Sequence, residues 1–382
     1  MGLYLLVSSD FKKTGGQDRA NYALAEFLAR HGDEVHLVAH YASDSLLKLP
    51  GVIFHRAPLI CRSYFLSEPL LAQLGRHWAK KISARGGKVL LNGGNCSWPA
   101  VNWAHYVHAA YAPQASFSAL GSLQVALYNR VYRGRERDSF RKASRIIADS
   151  NFTAANIAEH CGIPTERITT VYYGVDAQIF RPFTEDEKLT ARRVLHWDEQ
   201  KPYLLFAGAL GDRRKGFDLL FAAWQELCAD PAWNAELAVA GAGRELKHWQ
   251  QAAQAAGLAR RIHFLGFRKD IPQLLCAADA LVSPVRYEPY GLNVHEALCC
   301  ARPAFVSSTA GAAERYPAEL KDLLFEKLED PAEIAAKLRH YLSCPAPMQK
   351  HLLAFSSELR AYSWEEMARR IYEEWFGRFR FP

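Results

Sequence analysis

Short apolar runs alternate with stretches of helical period along most of the chain. In the first half, LYLLVSS leads through a glycine loop into the amphipathic stretch RANYALAEFLARHG, then EVHLVAH, and later RIIADS and ITTVYYG. Apolar strands separated by helices predict a parallel sheet covered on both faces. The pattern pauses in RPFTEDEKLTARRVLHWDEQKP, a polar stretch with proline near each end. It resumes as YLLFAGAL, FDLLFAAWQELC, AELAVAGAG, IHFLGF, DALVSPV, a helix from about Leu292, and PAFVSS. The expected fold class is α/β, with two Rossmann-like doubly wound domains over residues 1–180 and 201–362, joined by a linker at 181–200. Ligands of open parallel sheets bind beyond the carboxyl ends of the strands, which places the expected function in an inter-domain cleft.

The composition changes this picture little. With 382 residues, 49% hydrophobic and 23% charged, the chain has globular content for two cores. No apolar run approaches membrane-spanning length, and MGLYLLVSSDFKK lacks the basic region and cleavage site of a secretory leader, so a cytoplasmic protein is expected. The eight cysteines form no CxxC pair, which fits reduced, buried thiols better than zinc ligands. Charge is more informative. The net +7 resides in residues 1–180, with 20 Lys and Arg against 13 Asp and Glu, and residues 51–100 carry seven basic residues against one Glu.

Four loops at strand ends carry the candidate chemistry. Gly15-Gly16, after the first strand, lets the backbone approach a phosphate and opens a helix whose N–H groups favour an anion; it reads equally as a plain turn. Arg213, Arg214 and Lys215 precede Gly216 after YLLFAG and suit a diphosphate, or a solvated basic turn. Gly241-Ala242-Gly243 begins like a dinucleotide fingerprint but has Leu246 where its third glycine should stand, which rejects a dehydrogenase. In Tyr287-Glu288-Pro289-Tyr290-Gly291-Leu292-Asn293-Val294-His295-Glu296, Glu288 sits in a loop before a helix start. Glu296 lies a turn further on, where a carboxylate can accept two hydrogen bonds from a ribose diol.

In combination these segments resemble the retaining nucleotide-sugar glycosyltransferases of family 4, which have GT-B architecture. The resemblance spans nearly the whole chain: Gly15-Gly16, ADSNFTAANIAEHCGIPTERITTVYYGVDAQIFRP, RRKG, VAGAGRELKHWQQAAQAAGLARRIHFLGF, YEPYGLNVHEALCCARPAFVS and YSWEEMARRIYEEW. It implies an N-terminal acceptor domain, a C-terminal donor domain and a C-terminal helix over 363–382 crossing back to the first domain. It also implies sugar transfer from a nucleotide-diphosphate sugar to an acceptor hydroxyl, in glycan, lipopolysaccharide or exopolysaccharide assembly. Transfer would be hexosyl, retain the anomeric configuration, and need neither metal nor cofactor.

Placed on residues, the resemblance gives Glu288 contacts to the donor sugar and Glu296 the ribose. Arg214 and Lys215, with Arg213, neutralise the leaving diphosphate, and Tyr290, Gly291, Leu292, Asn293 and Val294 cradle it. Phe264 to Arg268, including Phe267, meet the nucleobase. His108, chosen over His105, stands beside the donor sugar, while Asp18 and Arg19 reach acceptor or phosphate, or solvent. Two departures stand out. Ala209 replaces a common Arg, and Ala310-Gly311 replaces a common Gly-Gly. Other functions kept in view are a non-catalytic nucleotide-sugar-binding subunit and a nucleotide-sugar epimerase.

The basic excess has no accompanying nucleic-acid motif. Arg62, Tyr64, Phe65, Leu66, Leu70, Leu71, Leu74, Trp78, Lys80, Lys81, Arg85 and Lys88 mix apolar and basic positions. Such a stretch can rest on the anionic inner face of a cytoplasmic membrane or meet a lipid-linked acceptor, and an ordinary amphipathic helix with a solvated basic face has the same pattern.

Overall fold

The computed structural model describes residues 2–113, 119–211, 213–344 and 348–375. Asp212 and residues 376–382 of the expected C-terminal helix lie outside the described residues. The described residues within 1–112, 118–174 and 362–382 form one unit, and those within 175–361 form a second.

The first unit is built on a seven-stranded parallel sheet. From one edge its strands are Val52–Arg56, Glu34–Ala39, Leu3–Val7, Lys88–Asn92, Val101–Ala104, Arg145–Ala148 and Ile168–Thr170. Leu5, Leu6, Leu37, Leu90, Trp103 and Ile147 are fully buried, the continuous apolar signature of a sheet covered on both faces. The helix Trp364–Trp375 returns to this unit and packs on Gly16–Arg30. Tyr372 meets Phe27 and Tyr4, and the Arg19 guanidinium lies over the Trp364 ring. A Cβ on Gly174 would stand 2.3 Å from the Ser363 main chain, so only glycine permits that approach.

The second unit has a six-stranded parallel sheet in the order Ile262–Gly266, Glu236–Ala240, Tyr203–Ala207, Ala280–Ser283, Ala304–Ser307 and Leu324–Phe325. Leu204, Leu205, Leu237, Val239, Leu281 and Val306 form its floor.

The stretch 181–200 differs from the linker expected there. Thr184 and Glu187 make a reciprocal capping box that starts the helix Glu185–Leu195. Arg192, 3% exposed, bonds Ala277 O at 3.0 Å, Glu199 O at 2.9 Å and Asp279 Oδ2 at 2.7 Å. A buried guanidinium with all these partners ties the segment into the second unit. Its polar composition concealed one apolar-facing stripe and that anchor.

Candidate functional site

The cationic loop of the second unit is held from below by main chain and by Arg286. Arg213–Lys215 forms a single short helical turn, and Gly216 then starts the helix Phe217–Cys228 with φ 69°. A Cβ there would lie 1.7 Å from Pro284 O, so both conformation and space demand glycine. The Arg286 N–H donates to Arg214 O at 2.8 Å, and its guanidinium donates to Arg213 O at 2.6 Å. Asp218 and Glu329 accept the remaining Arg286 hydrogens, at 2.8 Å and 2.6 Å. Burial works against the Arg286 charge, but the two carboxylates outweigh it and raise its affinity for the proton. Arg286 therefore fixes the loop while leaving its cations for other work.

Two of those cations converge on Glu288. Lys215 Nζ pairs with Glu288 Oε2, and Arg214 Nη1 donates to the same oxygen at 3.2 Å. Burial pushes the Glu288 carboxyl up, but Lys215 and then Arg214 hold it below its ordinary value. Arg213 remains half exposed, with Asp218 at 3.9 Å. Ala310-Gly311, the altered glycine pair, supports the acid from behind. The Gly311 N–H donates to Glu288 O at 3.0 Å and the Ala312 N–H to Tyr290 O at 2.6 Å.

The helix Leu292–Cys299 begins at Gly291, whose φ of 98° needs glycine. No side chain caps it, and the Leu292 and Asn293 N–H groups have no partner among the described residues. A helix start with open N–H groups attracts anions. Asn293 Nδ2 donates to Ala207 O at 2.9 Å, fastening that start to the end of a central strand. Glu296 is half-buried, its carboxylate has no partner among the described residues, and burial pushes it up to about 8.

Tyr290, expected among the donor contacts, turns its side chain inward. Its ring is 2% exposed and its hydroxyl meets His295 Nδ1 at 2.8 Å. Burial pushes His295 down to about 3, so this pair is neutral and structural. Phe267 is 73% exposed just past the strand Ile262–Gly266. The glycines of Gly241-Ala242-Gly243 have a packing reason. Cβ atoms there would fall 1.9 Å from Gly208 O and 2.2 Å from Leu210 O, because this loop lies flat on Gly208–Leu210.

In the first unit, Gly15 has φ 82° and precedes Gly16–Arg30 without a side-chain cap. Asp18, in that helix's first turn, stands 3.7 Å from Lys12 Nζ, and burial with the Asp10 charge pushes its carboxyl up to about 6. His105 and His108 separate cleanly. His105 is buried, with Nε2 2.6 Å from Asn92 Oδ1 and Nδ1 2.5 Å from the Tyr173 hydroxyl, and burial lowers it to about 3. His108 is one-third exposed, stacks on Tyr132, and has Nδ1 2.9 Å from Glu136 Oε1. The buried Glu136 also accepts the His108 N–H, at 2.9 Å. A carboxylate that grips both ring and main chain sets the direction of the imidazole.

Sequence reading missed Arg286, Asp218, Glu136 and the Asn92–Asn21 pair beside His105. Only the proximity of Arg286 to Glu288 in the chain offered a signal. Among the described residues no three His, Cys, Asp or Glu side chains gather as a metal site.

A family model described as Glycosyltransferase Family 4 matches residues 14–179, and one described as Glycosyl transferases group 1 matches residues 201–344. An uncharacterised glycosyltransferase of Methanocaldococcus jannaschii is 23% identical over 360 residues, covering 91% of this chain and 90% of that protein. Among solved structures, WaaG, a glycosyltransferase involved in lipopolysaccharide biosynthesis, matches with TM-score 0.75 at 18% identity, covering 98% of this chain and all of that one. Anabaena HepE, solved with UDP and glucose, matches with TM-score 0.70 at 20% identity, covering 98% of this chain and 99% of that one. At such identities the structural matches establish the fold, two Rossmann-like parallel-sheet domains of GT-B type.

Proposed function

Because the chain belongs to the family 4, group 1 glycosyltransferases of GT-B architecture, we propose that it transfers a hexose from a nucleotide-diphosphate sugar to an acceptor hydroxyl, with retention and without a metal. The observation that carries this reading is the convergence of Lys215 and Arg214 on Glu288, beside a helix start with two open N–H groups. Cleaving a sugar–diphosphate bond builds negative charge on phosphate and positive charge at the anomeric carbon, so catalysis needs fixed cations and dipoles aimed at the phosphate.

In this reading Arg213, Arg214 and Lys215 neutralise the departing diphosphate, and the Leu292 and Asn293 N–H groups receive its oxygens. Glu288, kept ionised by its two cations, contacts the donor sugar. Glu296 accepts from the ribose diol, with Phe267 at the base end, and Gly15-Gly16 supplies a second uncapped helix start. His108, oriented by Glu136, meets the donor sugar from the first unit. The acceptor oxygen bonds to the anomeric carbon as the carbon–phosphate-oxygen bond breaks, on the same face, and the departing phosphate oxygen takes the acceptor's proton.

Incubation with UDP-, GDP- and ADP-sugars tests the proposal by nucleotide release, with the product anomer read by NMR. Thermal stabilisation by donors without any release would favour a binding subunit, and product formed without an acceptor would favour an epimerase. The intact Arg214, Lys215, Glu288 and Glu296 set argues against a binding subunit. Leu59, Ile60, Tyr64 and Leu66 are exposed beside Arg62, which supports a peripheral contact with anionic lipid. Among the described residues no helix is long and apolar enough to cross a membrane. Flotation with anionic against neutral liposomes tests that contact, and equal recovery with both would sink it.

A further inference from the structure

Arg286 does more than hold the cationic loop by its carbonyls. A guanidinium has five hydrogens, and here all five are taken. Arg213 O receives one at 2.6 Å, the Asp218 carboxylate receives two at 2.8 Å and 2.9 Å, and Glu329 receives two, one of them at 2.6 Å. Both carboxylates are gripped by two parallel hydrogen bonds, the strongest geometry open to an arginine. The Arg286 side chain is only 6% exposed, so it is a buried charge with every donor matched.

Asp218 has a second cation within reach. Arg213 Nε lies 3.9 Å from Asp218 Oδ2, at the outer limit of an ion pair, and the Arg213 side chain is half exposed. An exposed pair at that distance contributes little, whereas two short hydrogen bonds to a buried guanidinium contribute much more. Asp218 therefore belongs to Arg286, and Arg213 keeps its charge. Glu329 shows the same commitment. Its backbone takes φ 66°, a left-handed conformation that is strained for a non-glycine residue and persists only where the surroundings impose it. Although the Glu329 side chain is exposed, both of its oxygens turn to Arg286. Without the guanidinium, two carboxylates would stand beside the loop assigned to the diphosphate, one of them in the first turn of Phe217–Cys228 and next to Arg213. Each would repel an incoming anion and draw on the cations of the loop.

We infer that Arg286 is a positioning residue of the diphosphate site that acts through charge: by occupying Asp218 and Glu329 it keeps Arg213 available to the ligand, while its bonds to Arg213 O and Arg214 O aim the loop. The inference rests on the transferase reading above for the identity of the anion, and adds how the site is kept positive. A purely mechanical clamp differs from this role in what the loss of Asp218 does. For a clamp, losing Asp218 frees the guanidinium and weakens anion binding. For a charge role, it removes a negative charge beside Arg213 and strengthens binding.

The test is calorimetric titration of the full chain with inorganic pyrophosphate, a diphosphate without base or sugar, with a melting temperature for each variant. The wild type should bind it saturably. Arg286→Gln should weaken binding about tenfold or more, and Asp218→Asn should tighten it about twofold or more. Combining the two substitutions should recover about threefold or more over Arg286→Gln alone, the coupling expected of two groups in contact. Absence of pyrophosphate binding by the wild type, wild-type affinity in Arg286→Gln, equal or weaker binding by Asp218→Asn, or a double variant no better than Arg286→Gln each overturns the proposal. If Arg286→Gln does not fold, the Asp218→Asn titration decides alone. Nucleotide release from UDP-, GDP- and ADP-sugars by the wild type, measured alongside, reports on the transferase reading by itself. No release with the pyrophosphate pattern intact removes that reading and leaves the charge role of Arg286 standing.

Discussion

Lys215 and Arg214 share a single oxygen of Glu288: both cations reach Oε2, Arg214 from 3.2 Å. Two positive charges against one carboxylate leave net positive charge at a buried point beside an open helix start. Lys215→Ala is therefore expected to lower turnover by about 10²–10³, the scale of losing one preorganised electrostatic group. Nucleotide release with the matched donor measures it, and circular dichroism confirms that the variant is folded. Near-normal release would remove Lys215 from the chemistry.

Glu296 makes a prediction with a definite sign. Its carboxyl titrates near 8 in the folded chain and near the ordinary 4.5 when unfolded, so folding favours the protonated form. Its contribution is fully present below pH 4.5 and is lost as pH rises to about 8. Glu296→Gln stays neutral, so its melting temperature should gain on the wild type across that window and then level off. If the ionised carboxylate accepts the ribose diol, nucleotide affinity of the wild type should rise with pH towards 8. In the Gln variant affinity should be weaker, by about tenfold, and flat. Parallel pH profiles for the two proteins would separate Glu296 from nucleotide binding.

Gly216→Ala should be far more damaging than its size implies. The new methyl would sit inside the Pro284 carbonyl oxygen at a backbone angle that side chains avoid, so a shift costing about 2 kcal/mol or more is expected. The measurement is a denaturant midpoint together with donor turnover, and both should fall. A stable but inactive variant would indicate that only the cationic loop moved.

His108→Ala should lower transfer by about 10², and Glu136→Gln by about tenfold, because the amide keeps an acceptor for the His108 N–H but loses the charge facing the ring. Steady-state kinetics should place the Glu136→Gln loss mainly in kcat, with the melting temperature little changed. Wild-type kinetics for His108→Ala would return that residue to a structural role.

Much of the second unit was legible because its chemistry is local in sequence. Glu288, Gly291 and Glu296 lie within one loop and one helix, where the glycine's conformation and the helix period set their relation. The alternating apolar runs likewise announced both parallel sheets. What remained hidden depends on distant partners. Nothing in the string says that Arg286 clamps residues 213 and 214, that Glu136 holds His108 across 28 positions, or that Arg192 anchors a polar stretch by meeting Asp279. The inward turn of the Tyr290 ring to His295 was hidden for a related reason, since nothing in the motif's string marks which of its side chains is buried.

The clamp between residues 213–216 and 284–288 has a consequence for redesign. Gly216 rests on Pro284 O, the Arg286 N–H bonds Arg214 O, and Glu288 meets the side chains of Arg214 and Lys215. Although some seventy residues apart in sequence, the two segments behave as a single cassette. Neither can be lengthened or exchanged without misplacing the other. Redesign of either segment therefore means moving both together or leaving both untouched.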